Sequence, residues 1–144
     1  MEASPPTDAM PASLYTARIP VRWGDQDALG HVNNTVYLRY VEQARIEFLE
    51  SLADEGWPGA PDTGPILAAA ELQFRRPIHY PATVVVNVYS AGPGRTSFPL
   101  DSVLTVEGDE ETVYADVKAT LVWVDSRTGR PTPLPDVIRE ALAA

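Results

Sequence analysis

The chain has no cysteine, and that absence removes several chemistries at once. A disulfide framework, a thiolate zinc site, an iron–sulfur cluster and a cysteine nucleophile are all excluded. Histidine is nearly as scarce: His31 and His79 are the only two. A multi-histidine metal site within one chain is therefore not expected, and neither a metal nor a cofactor is predicted. No Gly-x-Ser-x-Gly elbow accompanies either histidine. No apolar run approaches the ~20 residues a membrane-spanning helix needs. The first residues lack the basic and apolar regions of a secretory signal, so a cytoplasmic location is expected. Lysine occurs once, at Lys118, and the formal charge is −9. Such a balance disfavours nucleic acid or an anionic membrane as the main partner. It leaves room for a small anionic ligand held by a few arginines, whose planar fork suits phosphate.

What is present reads as one domain. At 144 residues the chain can bury one sizeable core. Residues 1–12 hold three prolines among small polar residues and are expected to be a disordered tail, leaving 13–144 as a single domain. Ala17, Ile19, Val21 and Trp23 alternate with polar residues as in a half-buried strand, with Pro20 requiring an edge or a bulge. A helix is predicted to start at Asn33 or Asn34, either of which can cap it. Tyr37, Val41, Ala44, Phe48 and Leu52 then trace one apolar stripe. After the Pro/Gly-rich loop near Trp57, period-2 patterns recur. Ile66, Ala68, Ala70, Leu72 and Phe74 form one face, followed by Val84, Val86 and Val88, by Phe98, Leu100, Leu104 and Val106, and by Val113 to Trp123. A short helix from Asp136 to Leu142 follows Pro135. The predicted class is α+β: a long helix on an antiparallel sheet in the order β-α-β-β-β-β, plus a short C-terminal helix. One helix covers only part of such a sheet, so a homodimer or homotetramer is expected to protect the rest.

This element order comes with a motif, Arg22-Trp23-Gly24-Asp25-Gln26-Asp27-Ala28-Leu29-Gly30-His31-Val32-Asn33-Asn34, followed by Tyr37-Leu38-x-Tyr40-x-Glu42-x-Ala44-Arg45. Together with Phe74-Arg75-Arg76-Pro77-Ile78 and Gly94-Arg95-Thr96-Ser97-Phe98, it resembles the hotdog-fold 4-hydroxybenzoyl-CoA thioesterase-like family. The resemblance spans about residues 14–143. It implies an acyl-CoA thioesterase that releases free acid and CoA without a cofactor, with its active site at a subunit interface. It places the catalytic carboxylate on Asp27, as nucleophile through an acyl-enzyme anhydride or as general base on water. The backbone N–H near Asn34 then polarises the thioester carbonyl, since a helix N-terminus offers unpaired N–H groups and partial positive charge. Gly30 lets the backbone approach the substrate.

Other residues stand between two roles. Asp27 in Asp-Ala-Leu-Gly is also ordinary turn chemistry, and Asp25 suits a loop brace. His-Val-Asn-Asn resembles plant acyl-carrier-protein thioesterases, which use an Asp, an Asn and a His. Leu29 stands at the Asn position, and its side chain cannot hydrogen-bond. His31 is thus either a catalytic partner or a residue that caps the helix and shapes the pocket. His79 reads as structural. Arg95, with Ser97 beside it, matches a basic strand segment used for CoA in the family. Arg75 and Arg76 are further phosphate candidates, although adjacent strand residues face opposite ways unless a bulge intervenes. Tyr37 is core, or the floor of an acyl pocket, and the Trp57 loop is a candidate lid. Two alternatives stay open: a thioesterase acting on acyl carrier protein, and a non-catalytic acyl-CoA binding or sensing module.

Overall fold

A computed structural model describes residues 12–143; apart from Ala12, the expected 1–12 tail lies outside them. The elements run β1 (Tyr15–Pro20), α1 (Asn34–Glu50), β2 (Thr63–Phe74), β3 (Thr83–Tyr89), β4 (Ser97–Pro99), β5 (Asp101–Val106), β6 (Ala115–Asp125) and α2 (Asp136–Ala143). One antiparallel sheet has the order β1-β3-β5-β6-β2, with β4 also on β6. The predicted β-α-β-β-β-β order holds, with the fourth strand interrupted. Pro99, which has no N–H to give a ladder, ends β4. Leu100 N–H still donates to Ala119 O at 2.9 Å, so β4 and β5 stay on the same neighbour.

Period-2 patterning decides which face meets the helix. On β6, Ala115, Val117, Ala119, Leu121 and Trp123 are all buried, while Lys118 and Thr120 between them are exposed. Val84, Val86 and Val88 on β3, Phe98 on β4, Leu100 between β4 and β5, and Leu104 on β5 complete the inner surface. Against it, α1 lays Tyr37, Val41, Ala44 and Phe48, spaced three and four apart. Arg45, also buried on α1, has no acceptor for its Nε among the described residues. Trp23 departs from the predicted strand: it lies in a single 3-10 turn and is 75% exposed.

Strand β2 corrects the sequence reading. Its register against β6 shifts between Leu67 and Ala69, so Pro65, Leu67, Ala70, Leu72 and Phe74 lie opposite the inward residues of β6. Ile66 is turned to the other face and Ala68 is the extra residue. A one-residue bulge exchanges the faces of everything beyond it. β2 is also a sheet edge, paired only with β6, and both its faces are largely open to solvent. A 12-residue apolar edge of this kind templates pairing with another strand.

At the start of β2 the loop after α1 folds under itself. Trp57 stacks on Trp123 with centroids 5.8 Å apart and donates its indole N–H to Thr63 O at 3.0 Å. Gly59 fits there because it lacks a side chain: a Cβ would lie 2.9 Å from the Trp123 ring, 3.0 Å from Pro135 and 3.1 Å from the Thr63 hydroxyl. Two of these neighbours are rings that cannot bend away. Gly59→Ala should therefore lower unfolding free energy by about 1–3 kcal/mol through overpacking. Urea denaturation checks this, and an unchanged midpoint would show that the stack yields.

Candidate active site

The Gly24–Gly30 segment folds into a small hairpin between β1 and α1. Gln26 and Val32 form an isolated bridge, Asp27 N–H donates to His31 O at 2.8 Å, and Gly30 N–H donates to Asp27 O at 3.1 Å. Gly30 has φ +82, a conformation that costs other residues steric strain. The Leu29 backbone N–H donates to Asp27 Oδ1 at 2.9 Å. Thus Leu29 does bond the carboxylate, through its backbone, while its side chain stands 80% exposed. Asp27 Oδ2 has no donor among the described residues, and Asp27 is exposed in the single chain.

Asp25 carries the frame on which that hairpin hangs. It is 5% exposed. Its Oδ2 accepts the Tyr40 hydroxyl at 2.8 Å and the Arg22 N–H at 2.9 Å. Arg22 Nη2 lies 3.4 Å from Oδ1. Asp25 O accepts Asn33 N–H at 2.9 Å, and Asn33 caps α1 by accepting Thr35 N–H at 2.9 Å. Asn34 is therefore the first residue of α1, and its N–H has no acceptor among the described residues. Burial opposes ionisation at Asp25, but the Arg22 N–H, the Tyr40 hydroxyl and the Arg22 charge outweigh it and hold the carboxyl below its ordinary range. The same contact, after burial, pushes the Tyr40 hydroxyl up.

A cleft of about 230 Å³ opens between the hairpin and the end of β2, lined by Asp27, His31, Asn34, Tyr37, Arg75 and Arg76, with Val32, Phe74 and Pro77. Tyr37 meets Phe74 edge to face at 5.0 Å and forms its floor. Both arginines line the cleft because the Arg75 and Arg76 N–H groups donate to the same acceptor, Tyr114 O, at 2.9 and 3.0 Å, and this bulge breaks the alternation. Their charges are used differently. Arg75 is spent on an ion pair with Asp116, whereas Arg76 is exposed and makes no ion pair among the described residues.

Arg95 and Ser97 lie elsewhere. Ser97 pairs with Val122 and Phe74 with Ala115, so along β6 they are roughly 23 Å apart at 3.3 Å per residue. The Trp57 loop is at that far end too and does not lid the cleft of its own chain. Sequence reasoning missed Tyr40 as the partner of Asp25 and Phe74 as a cleft wall, and it read His79 as structural without naming what it touches. His79 sits against His31, with ring centroids 5.0 Å apart. Among the described residues, no three imidazole or carboxylate groups converge as a metal would require. No helix among them is long and apolar enough to cross a membrane.

Comparison with known proteins bears on the family and the fold. The family model of the Thioesterase-like superfamily matches residues 21–142. Long-chain acyl-CoA thioesterase FadM of Escherichia coli (strain K12) is 29% identical over 125 residues, covering 87% of this chain and 94% of that protein. The chloroplastic acyl-acyl carrier protein thioesterase ATL3 of Arabidopsis thaliana is 29% identical over 133 residues, 89% of this chain and 67% of its own length. Among solved structures, the PA2801 protein of Pseudomonas aeruginosa is 40% identical with a TM-score of 0.83, covering 90% of this chain and 98% of that one. A thioesterase of Thermus thermophilus complexed with coenzyme A and Zn is 35% identical with a TM-score of 0.75, covering 92% and 94%.

The depressed Asp25 pKa has a definite sign for stability. The folded chain keeps Asp25 charged where the unfolded chain already protonates it. Its contribution is therefore full above the ordinary aspartate value of about 4 and is lost as pH falls through the lower folded value. Urea denaturation from neutral to acid pH should show a steeper loss of stability for the wild type than for Asp25→Asn. Parallel curves would remove Asp25 as the acid-sensitive brace.

Proposed function

The chain belongs to the thioesterase-like superfamily, and on that footing we propose that it hydrolyses the thioester of an acyl-CoA to free acid and CoA. The observation that carries this reading is the meeting, in one cleft, of the exposed Asp27 carboxylate and the free N–H at the first residue of α1. A thioester carbonyl has little resonance stabilisation, so a carboxylate suffices if the developing oxyanion is held. The Asn34 N–H, with the helix dipole behind it, is the group to hold it. The bond from Leu29 leaves Asp27 Oδ2 as the working oxygen.

Two routes use that atom. As nucleophile, Oδ2 attacks the carbonyl carbon, the C–S bond breaks to release CoA thiolate, and water opens the anhydride. As general base, Oδ2 takes a proton from water while the hydroxide attacks, and the proton passes to the departing thiolate. Gly30 keeps the hairpin free of a side chain. His31, at the cleft wall, is the candidate proton carrier to sulfur. Tyr37 takes the acyl side, and Arg76 is the cation available to CoA phosphate, with Arg75 held by Asp116.

Residues 13–144 act in this reading as one catalytic unit in the cytoplasm, where acyl-CoA is found, and the unit is a homodimer or a tetramer built from dimers. Pairing of two β2 edges about a twofold axis lays the Thr63 end of one strand beside the Phe74 end of the other. The partner subunit's Arg95 and Ser97 then stand three strand spacings, roughly 14 Å, from the first subunit's cleft edge. The partner subunit's Trp57 loop approaches with them, as the lid that the single chain lacks. The likeness to ATL3 favours a second reading, in which the acyl group arrives on an acyl carrier protein.

Release of free thiol from a panel of acyl-CoAs and acyl carrier protein thioesters tests the chemistry. Asp27→Asn should lose roughly 10²–10⁴-fold in kcat, the range for a positioned acid–base group. Equal rates in the two proteins would refute the assignment to Asp27. Turnover of carrier-protein substrates alone would select the second reading, and binding without release by the wild type would point to a sensor. The interface has its own test. Leu67 faces inward on the open edge at 43% exposure. Leu67→Glu should give a monomer by light scattering that has lost thiol release, and a dimeric, active variant would refute pairing through β2.

A further inference from the structure

We propose that His79 is a positioning residue for the catalytic turn, holding Gly30 through Nδ1 and His31 through its ring. His79 lies in the loop between β2 and β3, 48 residues from His31 in sequence, and the fold brings the only two histidines of the chain together. Their rings meet at 5.0 Å and 76°, edge to face. His79 Nδ1 lies 3.3 Å from Gly30 O. A carbonyl oxygen can only accept, so this bond requires the proton on Nδ1 and leaves Nε2 as the unprotonated nitrogen of the neutral ring.

The turn needs such a tie. Within Asp27–His31, the hydrogen bonds from Asp27 N–H, Leu29 N–H and Gly30 N–H all return to the turn itself. The backbone anchor from this loop comes one residue later, Val32 N–H to Ile78 O at 2.8 Å. Among the described residues, His79 is the side chain that reaches the turn from another element and bonds it. Asp27, Leu29 and Gly30 are exposed, so little packing supplements that bond. Gly30 is joined by its own N–H to Asp27 O, and the next residue, His31, accepts Asp27 N–H. A shift of Gly30 therefore moves the residue that bears the working carboxylate. His79 does not touch the reacting atoms in this account; it acts through Gly30 and His31.

The kinetic arm of the test rests on the thioesterase reading, and the spectroscopic arm does not. Asn at position 79 offers an amide N–H close to the place of Nδ1 but no ring; Phe offers a ring without a donor. His79 is exposed, so the variants should fold. His79→Phe and His79→Ala should lose roughly 10–100-fold in kcat for acyl-CoA with KM nearly unchanged, the effect of a small displacement of the reacting group. His79→Asn should recover most of that loss. Wild-type kcat in His79→Phe, or no recovery in His79→Asn, would overturn the proposal. Independently, ¹⁵N imidazole spectra of wild type and His79→Asn assign the two histidines. The neutral His79 ring should carry its proton on Nδ1, the form free histidine disfavours. A proton on Nε2 would sink the proposal whether or not the protein cleaves thioesters. An Nδ1 proton in a wild type that releases no thiol would refute the thioesterase reading and still support the tie.

Discussion

A carboxylate buried near the end of β1 is the constraint from which the site is built. Asp25 has lost most of its water, and an unpaired charge there would cost several kcal/mol. It persists because the Arg22 N–H and the Tyr40 hydroxyl converge on Oδ2 while the Arg22 guanidinium stands near Oδ1. Each partner fixes something else. Arg22 follows β1 by two residues, Tyr40 lies two turns into α1, and the Asp25 carbonyl takes the N–H of the residue that caps α1. One charge thereby sets the distance between a strand end and a helix start. The hairpin bearing Asp27 spans that gap, so the carboxylate and the free Asn34 N–H face one cleft. Were Asp25 the reacting group, those contacts would compete with catalysis. Asp27, by contrast, keeps Oδ2 unbonded among the described residues, as the proposed mechanism requires.

Much of this was legible because it depends on local period. The inward residues of β3 and β6, the α1 stripe and the cap at Asn33 follow from alternation, helical spacing and the acceptor habit of asparagine. The bulge in β2 was not, because Leu67-Ala68-Ala69-Ala70 is apolar on every residue and carries no sign of which one is extra. Trp23 continued the strand alternation in sequence and left it in space, since the Asp25 contacts pull the chain into a 3-10 turn. The pairs Asp25–Tyr40 and His31–His79 join residues 15 and 48 apart, and no local pattern announces them. The resemblance gathered the candidate residues into one set, but only coordinates separate the cleft group from Arg95 and Ser97 at the far end of β6.

That separation and the open β2 edge are two sides of one deficiency. An edge strand 12 residues long leaves main-chain donors and acceptors in water together with Leu67, Leu72 and Phe74, which face the same way as the core. At about 25 cal/mol per Å², covering such side chains is a substantial driving force for association. Antiparallel self-pairing would cover them and, by its direction, carry the Arg95 end of one subunit to the Asp27 end of the other. The feature that makes the single chain look unfinished is thus the one that would bring the scattered cations to the site.

The remaining tension is a chain of charge −9 offered an anionic ester. Net charge acts over distance, and at physiological ionic strength it is screened within about 8 Å. Glu107, Glu110 and Glu111 sit on the exposed β5–β6 turn, where water and salt reach them, and Glu107 and Glu110 are drawn toward Arg18. At the cleft the balance is reversed. Asp116 cancels Arg75, leaving Arg76, which also feels Asp109, and the positive end of α1 beside Asp27, the one carboxylate that lines the cleft among the described residues. In the proposed reaction the free N–H of Asn34 is fixed by the fold and would need no reorganisation when negative charge develops, so a backbone dipole can outweigh more distant formal charges. Binding of an anion here is then governed by a few oriented groups within hydrogen-bond reach, and the overall acidity bears on solubility and encounter rate rather than on the chemistry.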